Sequence, residues 1–126
     1  MPAAWPPLAP LVQPLLGKPY AEYDCWGLLA TLLQAGFGID LTRDPEVLAR
    51  EVVEVWFRGQ SASPLLLLQP WDCLILSVHG LVGDHCGLAL DPTRFVHTRH
   101  RAGVVIDALP RWQPKFLQIA RLRRLL

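Results

Sequence analysis

After residue 65 the apolar residues of this chain stop recurring every three or four positions and gather in short β-type runs. These are Cys73 to Val78, His85 to Leu90, Arg94 to Arg99, Gly103 to Ala108 and Lys115 to Leu122, each closed by turn residues. Runs so short and so closely spaced favour antiparallel neighbours, because a parallel return needs a crossover of a dozen or more residues. Asp91-Pro92-Thr93 reads as a tight hairpin turn between the second and third runs. Upstream the period is helical. Asp24 is placed as the N-cap of a helix from Cys25 to about Ala35, with Leu28, Leu29, Leu32 and Leu33 on one face and Gly36 as the stop. A second helix is expected from Asp44 as cap, with Pro45 at its first position, to about Phe57. Val47, Leu48, Val52, Val55 and Trp56 would form its apolar stripe and cover the sheet. The fold class is therefore α+β, an N-terminal helix packed on an antiparallel sheet of about five strands.

Residues 1–14 form a proline-punctuated arm, extended or broken into short turns and packed by Trp5, Leu8, Leu11 and Leu15. At 126 residues and 52% hydrophobic content the chain is long enough for one core and too short for two, so 1–126 is expected to be a single domain. Twelve lysines and arginines against eleven acids leave a net charge of +1, which gives no signal for nucleic acid. Arg94, Arg99, Arg101 and Arg111 make a local basic patch, and Arg121 to Arg124 read as a solvated strand end or tail. No basic residue precedes Lys18 and prolines break each early apolar run, so no signal peptide is expected; no run approaches the ~18 apolar residues of a membrane span. Synthesis in the cytoplasm follows as an expectation, with delivery by another agent if the protein acts outside. Three cysteines do not make a disulfide scaffold, and Cys25 is expected to be free.

Cys25 stands in the first turn of its helix. Unpaired backbone N–H groups and the positive end of the macrodipole favour thiolate there, which makes it a candidate nucleophile. His85 is the candidate base, and His97, in the hairpin partner of the strand carrying His85, can orient its ring through a cross-strand hydrogen bond. Alternation puts His85, Gly87 and Ala89 on one face, small enough past the histidine to admit the Cys25 helix. Cys86, Leu88 and Leu90 then point away, and Cys86 and Cys73 read as core. His79 and His100 fall in expected loops and read as surface. The cysteines with His85 and His97 include zinc-type ligands, yet neither C-x-x-C nor H-x-x-x-H spacing occurs, so neither a metal nor another cofactor is expected.

Asp24-Cys25-Trp26-Gly27-Leu28 opening a helix, Pro19-Tyr20 before it and His85-Cys86-Gly87 entering a strand together resemble the NlpC/P60 cysteine peptidases, from about Leu15 nearly to the C-terminus. Gln69-Pro70-Trp71-Asp72 resembles the Pro-Gly-Asp turn before the catalytic histidine, with Trp71 in the glycine's place. Trp26 likewise stands where a small residue is common, and either tryptophan could narrow the cleft, which the sequence leaves open or occluded. The resemblance implies a papain-like fold, with Cys25, His85 and His97 catalytic and Tyr20, Asp24 and Trp26 around the oxyanion and substrate. It also implies hydrolysis of an amide bond in peptidoglycan stem peptides, where Arg99 or Arg101 would meet a carboxylate. The short loops look most like the phage tail-associated subgroup (tail assembly protein K-like), which implies phage tail proteins as partners and a virion location. Two alternatives stand beside this: a catalytically weak or inactive tail component of the same fold, and a thiol acyltransferase or amidase acting on another substrate.

Overall fold

The computed structural model describes residues 5–44, 46–78, 80 and 83–126; Met1 to Ala4, Pro45, His79, Leu81 and Val82 lie outside the described residues. The arm folds into helical turns. Helix α1 (Ala9–Val12) and a 3-10 turn (Gln13–Leu15) each begin beside a proline, which suits a first helical turn because no partner exists there for its missing N–H. Leu8 and Val12 are buried. Helix α2 (Cys25–Phe37) is capped by Asp24, whose Oδ1 accepts from the Gly27 N–H at 2.6 Å. It ends at Gly38, which adopts the left-handed conformation (φ 69°). Gly36, the expected stop, lies inside the helix. A Cβ there would collide with the indole of Trp71, so this glycine answers to packing rather than to a turn.

Helix α3 (Val47–Glu51) is short, and the expected second helix gives way after Glu51 to strand β1 (Val52–Phe57). Paired β-branched and aromatic residues favour a strand there. The helical spacing of Val52, Val55 and Trp56 comes from a bulge between Glu54 and Trp56 that turns Val55 and Trp56 toward the same apolar cluster. Strands β2 (Cys73–Leu76), β3 (His85–Ala89), β4 (Arg94–Arg99), β5 (Gly103–Ala108) and β6 (Phe116–Leu122) complete a six-stranded antiparallel sheet of order β1-β6-β2-β3-β4-β5. The Asp91 turn forms as expected: its Oδ1 accepts from the N–H groups of Thr93 and Arg94, both at 2.8 Å.

The sheet buries both faces. On one, Leu28, Leu29, Leu32 and Leu33 of α2 meet Cys86, Leu88, Val96 and Leu122; on the other, Leu74, Leu76, Phe95 and Ile119 pack under Leu109 of helix α4 (Leu109–Trp112). The helix thus lies on the Cys86 and Leu88 face, opposite to the expected one. Leucine and valine offer more apolar area to bury than glycine and alanine, and that decides the docking. The Arg121 to Arg124 cluster is not a solvated tail. Arg121 makes a bidentate pair with buried Asp72 (Nε–Oδ1 and Nη2–Oδ2 both 2.8 Å), and Arg124 bonds Glu51 at 3.1 Å. Among the described residues no helix is long and apolar enough to cross a membrane.

Candidate active site

The sequence places a thiol at the start of α2, and the fold brings that end of the helix to the end of the sheet where His85 begins β3. Cys25 is half-buried and hydrogen-bonds the thiol of Cys86 and the imidazole of His85. Those two bonds, Cys86 first, together with the charge of His85, overcome burial and lower the Cys25 pKa from 9.0 to about 4. The two sulfurs share one proton. Cys25 holds the negative charge, since it has the helix amides and His85 beside it, while Cys86 is buried within a strand and its thiol is pushed far up as donor to Cys25. Cys73, wholly buried, is pushed up to about 12 and is inert.

His85 Nε2 and His97 Nδ1 stand 2.7 Å apart. The β3–β4 register pairs Leu88 with Val96 and Ala89 with Phe95, so the two histidines are diagonal rather than directly opposite. Gly87 lies between them. A Cβ at Gly87 would stand 3.2 Å from that of His97 and 2.9 Å from the Phe95 ring, so only glycine lets the imidazoles meet over it. His97 is fully buried, stacked on Phe95 (4.3 Å) and capped edge-on by Trp112 (4.7 Å). Burial, opposed by Asp107, lowers its pKa from 6.5 to about 4. It is therefore a neutral ring at physiological pH, and its 2.6 Å contact with Asp107 Oδ2 is a hydrogen bond to a carboxylate rather than an ion pair.

A cleft of about 370 Å³ opens over His85, walled by Tyr20, Asp84, Arg99, His100 and Trp112. Tyr20 is held there by backbone. The Gly17 N–H donates to the Val104 carbonyl and the Val104 N–H to the Lys18 carbonyl, both at 2.9 Å, where Gly103 has φ 73° and a Cβ would strike the Lys18 oxygen. Burial, and then the negative Cys25, raise the Tyr20 pKa, so its phenol remains a donor. His100, expected as plain surface, is exposed but stacks on Tyr20 at 4.0 Å. The hydroxyl of Thr98, 1% exposed and part of the cleft wall, has no hydrogen-bond partner among the described residues. Neither tryptophan narrows this cleft. Trp71 is 0% exposed, edge-on to Phe37 (4.8 Å), and donates from Nε1 to the Pro6 carbonyl at 2.7 Å. Trp26, 45% exposed, lines a separate groove along α2. Arg101 is exposed in the β4–β5 turn and is not part of the cleft wall.

The NlpC/P60 family model matches residues 15–121, most of the chain. The chain belongs to the NlpC/P60 family. Its fold is similar to that of an NlpC/P60 family protein from Bacillus cereus ATCC 10987, with TM-score 0.67 and 21% identity over 95% of this chain and 40% of that one. It is also similar to the NlpC/p60 domain of the peptidoglycan hydrolase SagA, with TM-score 0.62 and 15% identity over 92% of this chain and 97% of that one. The chain thus spans two fifths of the Bacillus cereus protein and nearly all of the SagA domain. No curated protein matches it by sequence.

Within this NlpC/P60 domain four contributors escape the sequence reading. Asp107 is an acid inside the apolar run Gly103 to Ala108, and counting back from the Arg99–Gly103 end of the hairpin pairs it with Phe95, diagonal to His97. That count was the available signal. Alternation alone reads Cys86 as core, because it fixes the residue's face but not what packs there. Trp112 and Thr98 carry no pattern that separates them from ordinary core.

Proposed function

We propose that this domain is a cysteine hydrolase that cleaves an amide bond in peptidoglycan stem peptides. The observation that carries the reading is the contact series from Cys25 through His85 to His97, in which the bonds from Cys86 and His85 lower the pKa of the thiol beside the imidazole. The thiolate attacks the scissile carbonyl, and the negative oxygen that develops is met by backbone N–H groups at the start of α2, including that of Cys25, which the Asp24 cap holds in place. Tyr20 and the unpartnered hydroxyl of Thr98 are further donors in the cleft wall. His85 delivers the proton to the leaving amine, then draws a proton from the water that hydrolyses the thioester.

An acidic substrate suits the cleft. Arg99 links it to a neighbouring groove of about 420 Å³ bordered by Arg111, Lys115 and Trp112, where carboxylates of a stem peptide find cationic partners. The phage tail setting, with tail proteins as partners and the tail as the route from cytoplasm to wall, is part of the same proposal and rests on the sequence resemblance. Digestion of purified sacculi, with released fragments identified by mass, tests the reading. New amino and carboxyl ends within stem peptides are expected, and their absence with Cys25→Ala or His85→Ala. Intact sacculi in the presence of a reactive Cys25 would refute wall hydrolysis; turnover of small acyl donors would then mark an acyltransferase or amidase. An unreactive Cys25 would leave a structural tail component.

A further inference from the structure

His97 is fixed on both edges by partners that leave its proton one position. A carboxylate accepts and never donates, so the hydrogen in the 2.6 Å contact between His97 Nε2 and Asp107 Oδ2 belongs to His97. A neutral imidazole carries one N–H, and Nδ1 of His97 is therefore a lone pair. The 2.7 Å contact to His85 forms only if His85 Nε2 carries the hydrogen and donates. What remains of His85 for Cys25 is Nδ1, the lone pair that takes the thiol's proton and then holds it toward the thiolate.

We infer that Asp107 is a positioning residue that sets the tautomer of His97 and, through it, makes His85 Nδ1 the atom that takes the Cys25 proton and holds it against the thiolate. The inference rests on the reading of Cys25 and His85 as nucleophile and base. Without Asp107, His97 is free to carry its hydrogen on Nδ1. That hydrogen would point at His85 Nε2, force the lone pair there, and deny His85 the second N–H that an imidazolium beside the thiolate requires. The low His97 pKa, due first to burial, keeps a second proton from the ring at neutral pH and so keeps the relay single-valued. The charged and titratable groups facing His97 are His85 on β3, Asp107 on β5 and, on its own strand, Arg99, whose Nη1 is 4.0 Å from Asp107 Oδ2. Phe95 and Trp112 hold the ring against a flip that would exchange its two nitrogens.

Long-range ¹H–¹⁵N correlation spectra of the whole chain at pH 7 read the tautomers directly. In the wild type the His97 hydrogen is expected on Nε2; in Asp107→Ala that preference is lost, and in Asp107→Glu it returns. With the tautomer lost, kcat on sacculus fragments should fall about 10²-fold or more with KM unchanged, the contribution of a positioned general base, and the longer carboxylate should recover part of it. A wild-type His97 carrying its hydrogen on Nδ1 would overturn the inference without recourse to any variant. So would an Asp107→Ala chain that keeps the wild-type tautomer and kcat. Should the wild type cleave no sacculus, the proposed function fails, while the spectra still judge Asp107.

Discussion

Removing the Cys86 thiol should make Cys25 a weaker acid without touching His85. The hydrogen bond from Cys86 is the largest influence lowering Cys25 from 9.0 to about 4, ahead of the bond to His85. A hydrogen bond to a charged acceptor contributes about 1.5–3 kcal/mol, and one pKa unit is about 1.4 kcal/mol, so Cys86→Ala should raise the midpoint by about one to two units. At pH 5 the thiolate fraction then drops from about 0.9 to between about 0.5 and 0.1, so iodoacetamide labelling of Cys25 should slow by about two- to tenfold, with little change at pH 8. Cys86→Ser, which keeps a donor at the same place, should track the wild type. Cys73, pushed up to about 12 by burial, stays silent in this range, and peptide mapping of the labelled chain assigns the signal. Superimposable pH profiles for wild type and Cys86→Ala would refute the shared-proton account and leave His85 and the helix start to hold the charge alone.

Gly103→Ala should lower stability by about 2–4 kcal/mol, from a side chain at positive φ and a Cβ forced against the Lys18 carbonyl, and shift Tyr20 with it; an unchanged melting temperature would disprove this. Trp71→Gly relieves a non-glycine φ of 73°, a gain of about 1–2 kcal/mol, but empties a site whose loss costs about 3–5 kcal/mol. Urea unfolding should therefore report net destabilisation of roughly 2 kcal/mol, and a gain would overturn the packing argument. His97 has a folded pKa of about 4 against 6.5 as its ordinary value, so the unfolded chain binds a proton that the fold excludes between those pH values. Stability should accordingly fall by up to roughly 3 kcal/mol as pH drops from 6.5 to 4, and a His97→Asn chain should show a flatter curve over that window; equal slopes would count against a buried neutral ring.

The β3–β4–β5 hairpins were legible because their turns are local: Asp91 and Gly103 set register within a few residues, and alternation did the rest. The β1 strand was not, because a bulge breaks the period of two and leaves apolar residues at helical spacing. The same limit explains Gly36. A glycine at the end of an apolar helix reads as a stop until Trp71, 35 positions on, is known to lie across it. Trp71 itself looked like a plug in a cleft because its neighbours in sequence belong to a turn, while its neighbours in space are Phe37, Gly36 and the Pro6 carbonyl.

The site divides along the same line. Cys25, His85 and His97 could be named from order and local context, since a helix start and a hairpin each generate their own geometry. Cys86 and Asp107 could not, because what they do depends on which face of β3 receives α2 and on a third strand beside the hairpin. Alternation tells which residues share a face, not which face is covered. Once α2 lies over Leu88 and Val96, Cys86 must meet the thiol at the helix start, and the opposite face is left to the imidazoles. The nucleophile is then reached from both sides of one strand, a thiol donor from the helix-covered face and a histidine relay from the other. Gly87 makes this possible: a side chain there would separate His85 from His97 while leaving Cys86 in place. A chain with Gly87→Ala should therefore retain part of the depressed Cys25 pKa yet lose the relay, and a reactive thiol that turns over no substrate is the expected signature of that separation.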